Sequence, residues 1–495
     1  MRMSQAAYRR LIAVVCAFLC CAYLPLVAPA ARAEEAQQVV YVPPELPSDV
    51  DPYDPLKPEA LQEEQLYARS AILVEATTGE VIFEKNADEV MYPASTTKIL
   101  TTLLGIMMGD MNQTVTLTET AADVPSDSST IKLDVGESIN FSDLLYATMI
   151  RSGNEGANLI AETISGNIND FVLTMNQAAA MYGCTNTHFV NPNGLHNPQH
   201  YSTARDMAKI AVAAMQNETF RDIVKTYNFS LPRSNIHRAR VLISGADALL
   251  NPRDDNEYYY PYANGVKTGF HSSAGYCYVG SAEKDGVKLV SVVFYTTENG
   301  RWTDTKKLME YGFSQFMSVT PMGLYNQNPF IIETSGYSAE DEDMGRLRLE
   351  LRATEDVREV SIVATLSDIE TMARNLKQTV LVQYTRDFAT PITQGEVMGT
   401  MTYYPADGLG AITYELVASR SIQRRLNAPR SLEEIEAAVY SDPNPFPPMT
   451  AELLISALVP VALVAIVLVP LWRLLRKSKR RHRGRVPKPK NRYFR

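Results

Sequence analysis

Apolar residues are spaced so that predicted strands flank a helical region in the first two thirds of the chain. Two pairs of short apolar-rich runs each have the form of a β-hairpin with a turn signal between them. They are 71–76 with 81–84, separated by Thr77-Thr78-Gly79, and 275–282 with 288–295, joined through Asp285-Gly286. Between these hairpins, helical spacing occurs at 95–108, 142–150, 155–164 and 203–215.

The pattern changes beyond Pro321. Leu347, Leu349 and Leu351 alternate with charged residues, which is the period-two pattern of a half-buried strand. Similar short runs, with Gly and Asp at the breaks, follow at 357–365, 379–384, 396–404 and 412–418. We therefore predict a second, small all-β domain of sandwich type over 321–440.

The first of two long apolar runs lies near the N-terminus. Arg9 and Arg10 precede the apolar stretch 11–30, which ends in the small-residue pattern Ala31-Arg32-Ala33. This order is typical of a secretory signal peptide, predicted here over 1–33. A retained membrane helix is the alternative, because the stretch is nearly long enough to span a bilayer.

The second long apolar run, 453–472, has the length of a transmembrane helix. A strongly basic segment, 473–495, follows it directly, and such a charge cluster stops transfer and keeps the tail in the cytoplasm. The sequence therefore predicts a protein of the cell membrane with a single C-terminal span and its long middle segment outside the cytoplasm.

Composition adds two connecting segments and one constraint on partners. Residues 34–64 are rich in Pro, Glu, Asp and Gln and predict a flexible spacer, whereas 441–452 predict a stiff Pro-rich linker. The net charge of the 495 residues is −9, although basic residues crowd at both ends. The exported middle is thus more acidic than the whole chain, which argues against nucleic acid as a partner.

Three short motifs contain residues suited to acyl-transfer chemistry. In Ser95-Thr96-Thr97-Lys98 the serine and lysine share one helix face, so the lysine can take the hydroxyl proton if its pKa is lowered. Ser152-Gly153-Asn154 lies between two helical segments, where a turn can direct a hydroxyl and an amide into a cleft. Lys267-Thr268-Gly269 leads into a strand that offers backbone groups to an extended peptide. Each motif alone is common, but their conjunction in this order is characteristic of penicillin-binding proteins and class A β-lactamases.

With these motifs the chain resembles the low-molecular-weight D-alanyl-D-alanine carboxypeptidases, serine peptidase family S11. The resemblance covers about 65–425 and includes PASTTK, the stretch from His188 to Ala208 and KTGFHSSAGYC from Lys267. It implies an α/β fold in which a serine β-lactamase/transpeptidase-like domain, an antiparallel sheet with a helical subdomain, occupies 65–320. The small all-β domain and the C-terminal transmembrane helix follow.

The resemblance also assigns roles to residues of this chain. Ser95 is expected to be the acylated nucleophile and Lys98 its general base, with Ser152 and Asn154 relaying protons and positioning substrate. Lys267 and Thr268 are expected to contact the substrate carboxylate. Gly269 and Phe270 complete the substrate-binding strand, and the backbone N–H groups of Ser95 and Phe270 form the oxyanion hole.

The implied reaction removes the terminal D-alanine from peptidoglycan stem peptides through an acyl-enzyme. No cofactor or metal is required, and β-lactam antibiotics are the expected covalent inhibitors. A serine β-lactamase and a non-catalytic cell-wall-binding protein on the same fold are the alternatives. No E-x-x-x-N segment suited to lactamase deacylation is apparent, and Gly153 stands where class A enzymes usually have Asp.

Three further features bear on the site. His196 and His200 have H-x-x-x-H spacing, but Pro198 lies between them and no helix-borne Glu accompanies them, which argues against zinc. His271 stands where many relatives carry a small hydroxyl residue, so the local contact with the substrate carboxylate is expected to differ from theirs. Without the signal peptide two cysteines remain, Cys184 and Cys277, for which buried free thiols are favoured over a disulfide.

Overall fold

The computed structural model describes residues 47, 49–243, 247–253, 255–354, 360–405 and 410–425. The predicted signal peptide, Pro-rich linker, transmembrane helix and basic tail lie outside these residues. Among the helices within them, none combines the length and apolarity that a bilayer crossing demands. The chain forms two compact units, one up to Asn328 together with Arg358–Thr379, the other Pro329–Val357 together with the residues from Val380 on.

The first unit is built on an antiparallel five-stranded sheet with the order β2-β1-β9-β8-β7. Its strands are β1 (Ser70–Glu75), β2 (Val81–Lys85), β7 (Ala263–His271), β8 (Gly275–Lys284) and β9 (Val287–Thr296). Both predicted hairpins are present in this sheet. Asp285 and Gly286 have φ angles of 51° and 82°, the left-handed values that a two-residue hairpin turn requires. Strand β7 forms one edge of the sheet.

Three two-stranded pairs accompany this sheet. They are β3 (Thr114–Thr116) with β4 (Ser138–Asn140), β5 (Asn228–Leu231) with β6 (Arg240–Ile243), and β10 (Phe316–Val319) with β13 (Ile362–Thr365). The helices of this unit are α1 (Lys98–Met108), α2 (Glu119–Ala122), α3 (Phe141–Arg151), α4 (Asn154–Ser165), α5 (Ile168–Met181), α6 (Ala204–Met215), α7 (Glu218–Val224), α8 (Gly300–Gln315), α9 (Pro321–Gln327) and α10 (Leu366–Thr379).

Helices cover both faces of the sheet, and β1 shows the consequence. Ile72 and Val74 belong to the apolar core that also contains residues of α1, α4 and α6. Leu73 faces the opposite way and packs in a second core with Trp302 and Leu308 of α8. Because alternate residues of a strand point to opposite faces, every residue of β1 is buried. The strand therefore appears in the sequence as a continuous apolar run.

The second unit contains an antiparallel sheet of order β11-β12-β16-β15-β14. Its strands are β11 (Ile331–Glu333), β12 (Arg346–Ala353), β14 (Leu381–Tyr384), β15 (Val397–Tyr403) and β16 (Ile412–Ala418). Leu347 and Leu349 are buried while Arg346, Arg348 and Glu350 are exposed, as the alternation predicts.

The division between the units differs from the predicted boundary after residue 320. Helices α9 and α10 and strand β13 belong to the first unit, where β13 pairs with β10 and Asn328 Nδ2 donates to Ala373 O at 3.3 Å. The prediction assigned this region to an all-β domain and overlooked α10. That helix buries Ile369, Ala373 and Leu376, which is a narrow apolar stripe on a largely polar segment.

Order also begins earlier than the sequence suggested. The described part of the predicted spacer 34–64 includes two short 3₁₀ turns, Pro58–Ala60 and Glu63–Gln65. Leu61 is buried, and Lys85 Nζ on β2 donates to Glu63 O at 2.9 Å. A single buried leucine and backbone carbonyl contacts hold this segment, and neither produces a periodic signal in the sequence.

Candidate active site

The first motif forms the start of helix α1. Residues Ala94–Thr97 make a 3₁₀ turn, and Lys98 begins the α-helix directly after it. Thr96 stabilises the turn because its Oγ1 donates to Pro93 O at 2.7 Å. Ser95 is half-buried, whereas Lys98 is completely inaccessible to solvent. The spacing of three residues thus places the lysine beneath the serine, on the same face of the helix.

Lys98 Nζ has three close neighbours. It lies 3.0 Å from Ser95 Oγ, 2.7 Å from Asn154 Oδ1 and 2.5 Å from the carbonyl oxygen of Asn193. Burial holds the pKa of Lys98 well below its usual value, the Lys267 charge lowers it further, and Glu155 opposes both. A neutral amine has two N–H donors and one lone pair. The two carbonyl-type oxygens can accept the two donors, which leaves the lone pair for the Ser95 hydroxyl proton.

The second motif connects α3 to α4. Ser152 ends α3 in the left-handed conformation, with φ 56° and ψ 35°, and Asn154 is the first residue of α4. A side chain at Gly153 would place its Cβ 2.4 Å from Ile131 Cγ1, so the close approach of that loop requires glycine. Glu155 holds the same loop by accepting from Ile131 N at 2.6 Å. The turn consequently directs Asn154 at Lys98.

The third motif lies on the edge strand β7. Lys267 and Gly269 are buried, Thr268 is half-buried and Phe270 is 56% exposed. A Cβ at Gly269 would meet Pro93 O at 2.9 Å and Ser95 N at 3.2 Å, so the strand packs directly against the 3₁₀ turn Ala94–Thr97. We call this turn the nucleophile turn, after the expected role of Ser95. Lys267 Nζ donates to Thr268 O at 2.9 Å, and burial lowers the pKa of Lys267 to about 7.

The three motifs line one cleft of about 320 Å³. Its walls include predicted site residues from each motif and several residues that the sequence did not single out. The lining comprises Ser95, Ser129, Met149, Ile150, Arg151, Ser152, Asp247, Val266, Lys267, Thr268, Gly269, Phe270 and Arg301. Lys98 and Asn154 lie beneath this surface. Lys98 Nζ is hydrogen-bonded to Ser95 at the surface and to Asn154 below it.

Asn193 and Gly194 take part in the site although the motifs did not identify them. Asn193 supplies the backbone carbonyl that Lys98 contacts, and its Nδ2 donates to Asn158 Oδ1 at 2.9 Å. Gly194 has a φ of 82°, and a Cβ there would lie 1.9 Å from Ala94 O. The asparagine- and glycine-rich composition of Asn191–Leu195 was the available signal, since these residues favour tight turns.

Arg301, at the start of α8, is a second residue that sequence reasoning missed. Its guanidinium lies 4.7 Å from the ring centre of Tyr276 and 4.4 Å from that of Trp302, so both rings restrict it. Among the described residues nothing accepts a hydrogen bond from its buried Nε. A planar cation held in this way at a cleft wall is suited to a carboxylate. No sequence motif surrounds it.

His200 and His196 make structural contacts near the cleft. Burial lowers the pKa of His200 to about 3, so its ring is neutral. Val190 N donates to His200 Nδ1 at 3.2 Å, and His200 Nε2 lies 2.8 Å from Thr97 Oγ1, which docks the loop before α6 on the nucleophile turn. His196 instead packs against Tyr92 and His271. The described residues contain no cluster of three or more groups able to hold a metal.

His271 contacts its own hairpin. Ala274 N donates to His271 Nδ1 at 3.1 Å, and burial together with His196 lowers the pKa of His271 to about 4.

Cys184 and Cys277 are both unpaired thiols, half-buried and buried respectively. Burial raises the pKa of each to about 12, so both are unreactive as nucleophiles.

Comparison with known proteins supplies the family. Residues 57–298 match the Peptidase_S11 model, described as D-alanyl-D-alanine carboxypeptidase. D-alanyl-D-alanine carboxypeptidase DacF of Bacillus subtilis is 36% identical over 255 residues, 50% of this chain and 63% of that protein, so the chain spans less than two thirds of it. The D-alanyl-D-alanine carboxypeptidase of Streptomyces sp. strain K15 is 32% identical over 251 residues, 48% of this chain and 84% of that protein.

A solved structure, penicillin binding protein 5 from Haemophilus influenzae, is 25% identical, covers 74% of this chain and 100% of its own, and aligns with a TM-score of 0.47. The sequence matches show the family, because the Streptomyces protein is 32% identical and the match covers 84% of its length. This chain belongs to the D-alanyl-D-alanine carboxypeptidases of serine peptidase family S11.

Proposed function

We propose that the protein is a serine-type D-Ala-D-Ala carboxypeptidase that removes the terminal D-alanine from peptidoglycan stem peptides and is acylated by penicillin. One observation supports this most directly. Lys98 Nζ is fully buried, has a lowered pKa and lies 3.0 Å from Ser95 Oγ with two carbonyl-type oxygens as its other neighbours. This is the environment in which a lysine acts as a general base toward a serine hydroxyl.

In the first half-reaction, Ser95 Oγ attacks the carbonyl carbon of the penultimate D-alanine as its proton passes to Lys98 Nζ. The developing oxyanion accepts hydrogen bonds from the backbone N–H groups of Ser95 and Phe270, and each such donor contributes about 3 kcal/mol of transition-state stabilisation. The C–N bond then breaks. The departing D-alanine nitrogen receives the proton from Lys98, with the Ser152 hydroxyl as relay and Asn154 positioning the peptide.

In the second half-reaction, water attacks the ester carbonyl of the acyl-enzyme and gives its proton to Lys98. As the ester C–O bond breaks, Lys98 returns this proton to Ser95 Oγ, which restores the free hydroxyl and releases the shortened peptide. During the first half-reaction the terminal carboxylate lies against Lys267, Thr268 and Arg301, three cationic or hydroxyl groups on the same cleft wall, and it leaves with the released D-alanine. Because a stem peptide ends in a free carboxylate, this wall accounts for carboxypeptidase rather than internal cleavage.

The test uses Ser95→Ala and two substrates. We expect the wild-type protein to convert pentapeptide muropeptides to tetrapeptides with release of one D-alanine each, followed by mass spectrometry, and to be labelled covalently by fluorescent penicillin. Ser95→Ala should lose both reactions while unfolding at nearly the same temperature, because it removes a single oxygen atom from a half-buried side chain.

The same assay separates the alternatives. Absence of labelling in folded wild-type protein would favour a wall-binding protein, and rapid turnover of the drug would favour a β-lactamase. Labelling of Ser95→Ala at the wild-type rate would refute the proposed nucleophile. Ser314→Ala is a matched control, because its hydroxyl donates to Tyr311 O at 2.7 Å at the end of α8 and does not line the cleft.

We further propose that the protein is exported and held in the cell membrane by residues 453–472. The support is the sequence alone, a bilayer-length apolar run followed by a basic tail. Truncation before Leu453 should release an active soluble enzyme into the cell exterior, whereas the full chain should sediment with membranes. An inactive but folded truncated product would contradict a purely anchoring role for this segment.

A further inference from the structure

One wall of the cleft contains a buried carboxylate that belongs to none of the three motifs. Asp247 is 5% exposed and lines the cleft with Lys267 and Arg301. Its Oδ1 accepts from Leu249 N at 3.1 Å and from Leu250 N at 3.4 Å. Its Oδ2 accepts from the Tyr278 hydroxyl at 3.0 Å. These donors stabilise the ionised form of the carboxylate.

Tyr278 also fixes this carboxylate relative to strand β7. The phenol is fully buried on β8, and its hydroxyl lies 3.0 Å from Gly265 O as well as from Asp247 Oδ2. Gly265 is two residues before Lys267 on β7. The position of Asp247 is thus tied to the strand that carries the lysine, through a side chain that has no access to solvent.

The buried charges of this region depend on one another. Lys267 is 4% exposed, and the hydrogen bonds of its Nζ go to the neutral oxygens of Thr268. Burial lowers the pKa of Lys267 to about 7, Asp247 raises it and Arg301 lowers it. The charge of Lys267 is in turn the second largest cause, after burial, that lowers the pKa of Lys98.

We propose that Asp247 is a positioning residue of the reaction: its carboxylate is the counter-ion that keeps Lys267 protonated in the desolvated cleft, and the Lys267 charge keeps Lys98 neutral. The inference rests on the function proposed above. Under this proposal a residue outside the three motifs maintains the positive charge of the substrate-binding wall. That charge in turn acts on Lys98, the general base.

The sign of the pH effect follows from the groups that face Asp247. These are Lys267 from β7, Tyr278 from β8 and Arg301 from α8. Burial raises the pKa of Asp247 to about 6, against its hydrogen bonds and the charge of Lys267, which lower it. Above that pKa Asp247 is ionised and supports the Lys267 charge. Activity should then fall as pH rises through the pKa of Lys267, because the deprotonated amine no longer attracts a carboxylate.

The experiment measures the second-order rate constant for acylation of Ser95 by fluorescent penicillin from about pH 5 to about pH 10. Asp247→Asn retains the side-chain shape and removes the charge, so the alkaline limb of the profile should move to lower pH by about one unit. Arg301→Gln removes a cation that opposes protonation of Lys267, so its alkaline limb should move to higher pH. The two variants therefore shift the limb in opposite directions.

Asp304→Asn is the matched control. Asp304 is also fully buried, with a pKa raised by burial to about 6, but its Oδ2 accepts from Ala68 N at 2.8 Å and it does not line the cleft. Its loss should leave the alkaline limb where it is. Thermal unfolding of all variants shows whether the changes are confined to the site.

An unmoved alkaline limb in folded Asp247→Asn would overturn the inference, and so would a loss of rate that is equal at every pH. If Asp247→Asn fails to fold, Tyr278→Phe decides: it removes the hydroxyl that stabilises the ionised Asp247 carboxylate, so the alkaline limb should move to lower pH, and an unshifted limb overturns the inference. Wild-type protein that penicillin does not acylate would refute the proposed function itself, which is a different result from any of these.

Discussion

Replacement of Lys98 by methionine is expected to lower the rate of Ser95 acylation by about 10²–10⁴-fold, the usual contribution of a general base. Methionine fills similar space but cannot accept the hydroxyl proton. The second-order rate constant with fluorescent penicillin and the release of D-alanine from muropeptides both measure the loss. Its physical basis is the contact of 3.0 Å between Ser95 Oγ and Lys98 Nζ, which belongs to a side chain fully buried from solvent.

This substitution also leaves the oxygens of Asn154 and Asn193 without their donor, which costs about 1–3 kcal/mol. Burial of an apolar side chain in place of an amine offsets part of that cost. Lys209→Met is a suitable control, because Lys209 Nζ donates to Gly183 O and Asp206 Oδ1 away from the cleft. Acylation of Lys98→Met at a rate within a few-fold of wild type would exclude Lys98 as the base.

Alanine at Gly194 is expected to destabilise the protein by about 3 kcal/mol or more and to abolish acylation. Its Cβ would lie 1.9 Å from Ala94 O and 3.0 Å from Ser95 N, and neither backbone atom can rotate away. The loop itself is held by the contact of Asn193 O with Lys98. The nucleophile turn must therefore shift, and a displacement of about 1 Å at the reacting groups is enough to lose catalysis.

Gly183→Ala separates this clash from simple backbone strain. Gly183 has a φ of 75°, close to the 82° of Gly194, but a Cβ there would meet no atom within 4 Å. It should cost only the penalty of a left-handed alanine, about 1 kcal/mol, and leave acylation unchanged. Chemical denaturation and penicillin labelling measure both effects. Equal losses of stability in the two variants would show that the loop with Gly194 can move away from Ala94, and would contradict the predicted clash.

The chemistry of the site could be predicted because it is concentrated in short motifs. A helix fixes residues three apart on one face, so S-x-x-K specifies the relation of Ser95 to Lys98 before any tertiary contact forms. A strand specifies that Lys267 and Gly269 share a face opposite to Thr268. The hairpin of β8 and β9 could likewise be predicted, because Asp285-Gly286 supplies the left-handed residues that its turn needs.

The remaining parts depend on contacts between distant segments. Helix α10 buries Ile369, Ala373 and Leu376 at helical spacing, a signal that the prediction overlooked, whereas β13 belongs to the first unit through its pairing with β10. Arg301 and Asp247 carry no motif of their own. Both residues matter because α8 and the segment before β7 bring them to the cleft wall that also contains Lys267.

The sequence by itself therefore determined the family and the two hairpins of the first sheet, and it predicted Ser95 as the nucleophile and Lys98 as its base, because short motifs and helix and strand geometry are local properties of the chain. Tertiary structure alone decided the electrostatic state of the site. Burial lowers the pKa of Lys98 and Lys267. The charge of Glu155 opposes this for Lys98, and the charges of Asp247 and Arg301 act on the pKa of Lys267 in opposite directions. Desolvation and Coulomb interactions depend on distance and solvent exposure, which the order of residues does not contain.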